Sequence, residues 1–184
     1  MAAVRARLCS QNPHKLEELR AALPDWELEL LEADGYPEEV GATFLENARA
    51  KARFGRAQVE SGVWTIGEDS GIEAAALGGR PGIQSARWAD DGVARLLEEL
   101  AGVEDRRARY VCELVCWTPA GELRGTGILE GTLALAPSGE EGFGYDPIFV
   151  PLGETRTVAQ LGNAWKRRNS HRARAAHALA AALA

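Results

Sequence analysis

The order of strand-like and helix-like segments constrains this chain more than any single motif. Val4, Ala6 and Leu8 alternate with Arg5 and Arg7, the period-two pattern of a strand with one covered face. Asn12-Pro13 then opens a helix, with Asn as N-cap and Pro at the first helical position. Leu16, Leu19 and Leu23 form its buried stripe, and Pro24 ends it. Trp26 to Leu31 alternates again. Thr43-Phe44-Leu45-Glu46 has the form of a capping box, and the helix behind it is expected to reach about Glu60. Val63 to Ile66 reads as a buried strand, Gly78-Gly79-Arg80-Pro81-Gly82 as a tight loop, and Val93 to Leu100 as a short helix. Tyr110 to Trp117 and Glu122 to Leu135 are strands around a turn at Pro119-Ala120-Gly121. Strands and helices alternate first and strands then cluster, which predicts an α/β fold with a mixed sheet and an antiparallel extension.

At 184 residues the chain can bury one core, and a single domain over residues 1–184 is expected. The formal net charge of −6 argues against a general nucleic-acid binder, which needs a broad basic surface. No apolar run approaches membrane-spanning length, and the opening Met-Ala-Ala-Val-Arg-Ala-Arg-Leu has no apolar signal-peptide core. Cys9, Cys112 and Cys116 are odd in number and lack metal spacing. Reduced thiols in a cytoplasmic protein, with no membrane partner, are expected.

Against that acidic background, Trp165 to Arg174 carries five Lys or Arg in ten residues. Ser170 reads as the N-cap of a final Ala-rich helix, so His171 and Arg172 fall in its first turn, where cations are disfavoured unless an anion or acceptor accompanies them. Four further segments look unlike packing. Ser10-Gln11-Asn12-Pro13-His14-Lys15 joins a strand to a helix, and its backbone N–H groups, hydroxyl and ammonium suit a phosphate. Gly67-Glu68-Asp69-Ser70-Gly71 places two acids directly after an apolar strand, where open α/β sheets hold ligands and where hard oxygens suit Mg²⁺. Pro37-Glu38-Glu39-Val40-Gly41 can add a second metal carboxylate, with Lys51 on the helix that follows. Gly142-Phe143-Gly144-Tyr145-Asp146-Pro147 sets two aromatics and an acid among glycines, as a stacking platform for a base requires.

Taken in order, Ser10-x-Asn12-x-x-Lys15, Thr43-Phe44-x-Glu46-Asn47-Ala48, Asp69-Ser70-Gly71, Gly78-Gly79-x-Pro81-Gly82-x-x-Ser85-Ala86-Arg87, Phe143-Gly144-Tyr145-Asp146-Pro147 and Lys166-x-x-x-Ser170-His171-Arg172 resemble the non-canonical purine nucleoside triphosphate pyrophosphatases. Each motif alone is modest; six in one order are specific, and they span Ser10 to Arg172. Two departures stand out: Glu68 occupies a position where the family usually has Asp, and Ser10-Gln11-Asn12 replaces a more usual Thr-Gly-Asn.

The resemblance implies an elongated mixed sheet flanked by helices, with two lobes around a substrate cleft, and a homodimer. It implies Mg²⁺-dependent hydrolysis of ITP, dITP and XTP to the monophosphate and pyrophosphate. By position, Asp69 is the catalytic and metal-associated carboxylate and Glu39 the second metal acid. Ser10, Gln11, Asn12, Pro13, His14, Lys15 and Lys51 would handle the triphosphate. Ser70, Phe143, Gly144, Tyr145, Asp146, Lys166, His171 and Arg172 would handle the nucleoside, with cationic donors aimed at the purine 6-oxo group. Adenine offers a donor there, and that mismatch can discriminate by up to ~10⁴. A pyrophosphatase for damaged pyrimidine or methylated nucleotides, a non-catalytic nucleotide sensor, and nucleic-acid binding through the basic segment, which the overall charge disfavours, are the rival readings.

Overall fold

The computed structural model describes residues 3–183; Met1 and Ala2, part of the opening expected to carry no signal peptide, and Ala184 lie outside the described residues. Six strands form one sheet in the order β2-β1-β3-β4-β5-β6: β1 Val4–Cys9, β2 Trp26–Leu30, β3 Trp64–Ala74, β4 Arg107–Thr118, β5 Gly121–Leu133 and β6 Phe149–Pro151. β1 pairs in parallel with β2 and β3, whereas β5 and β6 are antiparallel, so the sheet is mixed as expected. The helices are α1 Pro13–Ala22, α2 Phe44–Arg56, α3 Gly92–Glu99, α4 Val158–Leu161, α5 Asn163–Asn169 and α6 His171–Ala181. Among the described residues no helix is long and apolar enough to cross a membrane.

Local chemistry sets most of these boundaries. Asn12 caps α1 by accepting from the backbone N–H of His14 at 2.9 Å, with Pro13 as first helical residue. Thr43 caps α2 by accepting from Glu46 N at 3.1 Å. The return bond of the expected capping box shifts by one residue, because Glu46 Oε2 accepts from Ala42 N at 2.7 Å. α2 ends at Arg56, short of the expected Glu60, since Ala57 and Gln58 turn back onto the carbonyls of Phe54 and Gly55.

β3 departs most from the sequence reading. The acids Glu68 and Asp69 do not follow the strand but lie inside it, and the strand runs on to Ala74. Carboxylates are tolerated in a strand interior when each has buried partners. Successive residues of a strand face opposite sides, so the two acids are separated by the sheet.

The chain groups into two compact units: Met1–Asp69, Cys112–Gly127 and His171–Ala184 in the first, Ser70–Val111 and Ile128–Ser170 in the second. In the first unit, Ala6, Leu8, Ile66, Cys112, Leu114 and Cys116 pack against Leu16 and Leu19 of α1 and Ala173, Ala176 and Leu179 of α6. On the other side, Ala48 and Ala52 of α2 pack with Val115. Gly67 makes that approach possible: a Cβ there would meet the Ala48 carbonyl and the Ala52 nitrogen of α2. In the second unit, Ile72, Leu96, Tyr110, Leu129, Leu133, Tyr145, Ile148 and Phe149 form a separate core.

Candidate active site

The first unit gathers the triphosphate candidates around the two β3 carboxylates. Asp69, 4% exposed, faces α2. Its Oδ2 accepts from Asn47 Nδ2 at 2.9 Å and its Oδ1 lies 3.4 Å from Lys51 Nζ. Asn47 is itself fixed from behind, because its Oδ1 accepts from Gly41 N at 2.8 Å. Lys51 also donates to the Glu68 carbonyl at 2.9 Å and is ion-paired with Glu39. One ammonium therefore stands between the carboxylates of Asp69 and Glu39. Glu38 is exposed while Glu39 turns inward, which separates the two adjacent acids.

Burial, aided by the nearby charges of Glu68 and Glu39, raises the Asp69 carboxyl above its ordinary range; Lys51 and Asn47 pull the other way without cancelling it. For Lys51, burial opposes the charged form, but Asp69, Glu68 and Glu39 together outweigh it and raise its pKa. An Asp that is buried yet proton-hungry is a suitable acceptor for a proton from water.

Glu68 faces the other side. Its Oε2 accepts from Lys15 Nζ at 2.6 Å, and its Oε1 accepts from Arg172 Nε and Nη2 at 3.1 and 3.0 Å. Arg172, 1% exposed, also pairs through Nη1 with Glu18 Oε1 at 3.0 Å. Burial alone would push the Glu68 carboxyl up, but Lys15, Arg172 and Lys51 hold it well below the usual carboxylate range. The cation in the first turn of α6, which the sequence left needing a counter-charge, thus has two inside the fold.

Before α1, Ser10 Oγ accepts from Asn12 N at 3.1 Å and closes the turn that leads to Lys15. Gln11, Pro13 and His14 are exposed, and Ser10, Asn12 and Lys15 are half-buried. His171 is buried at the head of α6.

The second unit holds the remaining candidates. Asp146 is 1% exposed; its Oδ2 accepts from Lys166 Nζ at 2.6 Å and from Phe143 N at 2.8 Å, and its Oδ1 lies 3.3 Å from the Tyr110 hydroxyl. Lys166 Nζ sits 3.7 Å above the Phe143 ring centroid, so one face of the expected stacking ring carries a cation. Gly144 is exposed with φ 62°, the left-handed turn its glycine permits. Tyr145 belongs to the core, and its hydroxyl donates to the Ser85 carbonyl at 3.0 Å. Ser70 is half-buried on β3.

Two participants, Asn47 and Glu18, and the role of a third, Glu68, are not evident from the sequence. Asn47 was visible only as a motif letter, although an amide on the buried face of α2 is a usable signal. Glu18 sits among leucines in α1 and gives no sign that it is buried. The task of Glu68 depends on partners 53 and 104 residues away.

For a divalent cation the donor set is small. Among the described residues no group of three or more His, Cys, Asp or Glu side chains is arranged to hold a metal. Asp69 and Glu39 share a cation already, in the form of the Lys51 ammonium. Two carboxylates fit Mg²⁺, which takes one or two from protein and completes its shell with water and phosphate.

The model of the Ham1 family matches residues 6–182 of this chain. Similar curated proteins include the dITP/XTP pyrophosphatase of Deinococcus deserti, 44% identical over 179 positions that cover 93% of this chain and 85% of that protein. The dITP/XTP pyrophosphatase of Mycobacterium tuberculosis is 43% identical over 192 positions, covering 96% and 93%. Among solved structures, a Ham1 protein of Staphylococcus aureus superposes with a TM-score of 0.86 at 36% identity, covering 97% of both chains. A HAM1 protein of Coxiella burnetii gives 0.84 at 35% identity and 98% of both.

Proposed function

Because this chain belongs to the Ham1 family, we propose that it is a nucleoside triphosphate pyrophosphatase acting on non-canonical purine nucleotides, dITP, ITP and XTP, and that it removes them from the nucleotide pool. The observation that carries the reading is the buried Asp69, backed by Asn47 and sharing the Lys51 ammonium with Glu39.

In this reading Asp69 orients a water toward the α-phosphorus and accepts its proton. The new P–O bond forms as the α,β-anhydride bond breaks, and pyrophosphate leaves with the electron pair. Lys15, Lys51 and the loop Ser10, Gln11, Asn12, Pro13 and His14 bind the phosphates in the first unit. Asp69 and Glu39 would hold Mg²⁺, which when bound neutralises phosphate charge. His171 is assigned to the base, and Arg172, whose guanidinium is held by Glu68 and Glu18, to the support of Glu68. In the second unit Ser70, Phe143, Gly144, Tyr145, Asp146 and Lys166 are assigned to the nucleoside, with Lys166 and Asp146 holding one another so that a ligand meets an ordered donor and acceptor. These roles are supported by the motif order and by the burial of the charged members. A single catalytic domain, a homodimer and a cytoplasmic setting complete the proposal; free, buried Cys9, Cys112 and Cys116 accord with the last. The test is the product pair formed from ITP and from ATP with and without Mg²⁺.

A further inference from the structure

Four charged side chains of the first unit alternate in sign: Lys15, Glu68, Arg172 and Glu18. Three are almost wholly buried, and only Lys15 reaches the surface, with 19% of its side chain exposed. Such a buried array is a poor device for stability, since apolar side chains of similar volume usually do as well. What it supplies is geometry. Arg172 grips Glu68 Oε1 through two N–H groups, Glu18 restrains Arg172 from behind, and the Cys112 thiol lies 3.6 Å from that same Oε1. Glu68 Oε2 is left to hold one ammonium, that of Lys15, at 2.6 Å.

Resting on the pyrophosphatase reading, we infer that Glu68 is a positioning residue, anchored by Arg172, that holds the Lys15 ammonium at a fixed point and competes with the substrate phosphates for it. Such a carboxylate lowers ground-state affinity for a polyanion and raises turnover, because Lys15 meets the phosphates already placed. The extra methylene of Glu over Asp gives the reach to both cations from the middle of β3.

The experiment uses the full chain as wild type, Glu68→Gln and Glu68→Asp. It measures the Kd of inorganic tripolyphosphate and kcat for ITP at fixed Mg²⁺. In Glu68→Gln the amide oxygen still accepts from Arg172, but its NH2 meets Lys15 donor to donor, so Lys15 is released. Tripolyphosphate then binds about tenfold tighter, because a buried anion is gone, while kcat falls roughly 10- to 100-fold. Glu68→Asp keeps the charge and loses the reach: kcat falls on the same scale, and the tripolyphosphate Kd stays near wild type. A group that merely stabilised the fold would not move affinity and turnover in opposite directions. An unchanged kcat in either variant, or a tripolyphosphate affinity that is unchanged or weaker in Glu68→Gln, overturns the inference. Should Glu68→Gln fail to fold, Glu68→Asp decides through kcat. A wild type that leaves ITP intact defeats the pyrophosphatase reading, and tripolyphosphate binding then still reads Glu68: tighter in Glu68→Gln supports it, unchanged or weaker overturns it.

Discussion

Glu68 and Asp69 are consecutive residues of β3 whose carboxylates lie on opposite sides of the sheet, each with its own lysine: Lys15 for Glu68 at 2.6 Å and Lys51 for Asp69 at 3.4 Å. One is held well below the usual carboxylate range and the other is raised above it. Neighbouring acids driven apart in this way are fitted for different tasks, a permanent anion and a proton acceptor.

Asp69→Asn keeps the shape of the side chain and removes its basicity. We expect kcat for ITP to fall roughly 10²- to 10⁴-fold with the melting temperature kept or raised, since a raised carboxyl is a charge the fold accommodates at a cost. In the wild type the same group should give kcat an acid limb above the ordinary Asp value of ~4. Activity as high in Asp69→Asn as in wild type would assign Asp69 a structural task.

Stability should depend on pH through Glu68. Its folded-state pKa is depressed, so the unfolded chain binds its proton first as pH falls. The contribution is complete above the unfolded value of ~4 and is lost as pH drops through the folded one. Thermal melts of wild type and Glu68→Gln from neutral pH downward check this. The wild type should lose more stability than the variant below pH ~4; parallel curves would mean that Glu68 carries no such linkage.

Sequence signals served well where the chemistry is local. Asn12, Pro13 and Thr43 declare the starts of α1 and α2 because a cap needs only its own next few residues. Thr157 and Gln160 form a reciprocal capping box at α4 that is just as local a signal, while β6, at three residues, is too short for any period. The acids of β3 misled because polar residues ordinarily mark the end of a buried strand. Nothing near Glu68 in the chain announces Lys15 or Arg172, and pairing across such separations exists only once the sheet has formed. The candidate residues of both units were legible as motifs; which of them bind each other was not.

Lys166→Met should expose the importance of the pair in the second unit. Both partners are nearly fully buried, and removing the ammonium leaves Asp146 with the Tyr110 hydroxyl and the Phe143 N–H. Breaking a buried pair from one side costs ~3–5 kcal/mol. Chemical denaturation of Lys166→Met and of Lys166→Met with Asp146→Asn checks it. The double variant should recover part of the loss, and a single variant as stable as wild type would show that the buried pair adds nothing to the stability of the fold.

Phosphorus NMR of the products formed from ITP in the presence of Mg²⁺ shows which phosphorus the enzyme attacks. Cleavage at the α-phosphorus predicts IMP and pyrophosphate in equal amounts from the first turnover, with ATP consumed far more slowly. Release of orthophosphate with IDP accumulating, or equal turnover of ITP and ATP, would contradict it.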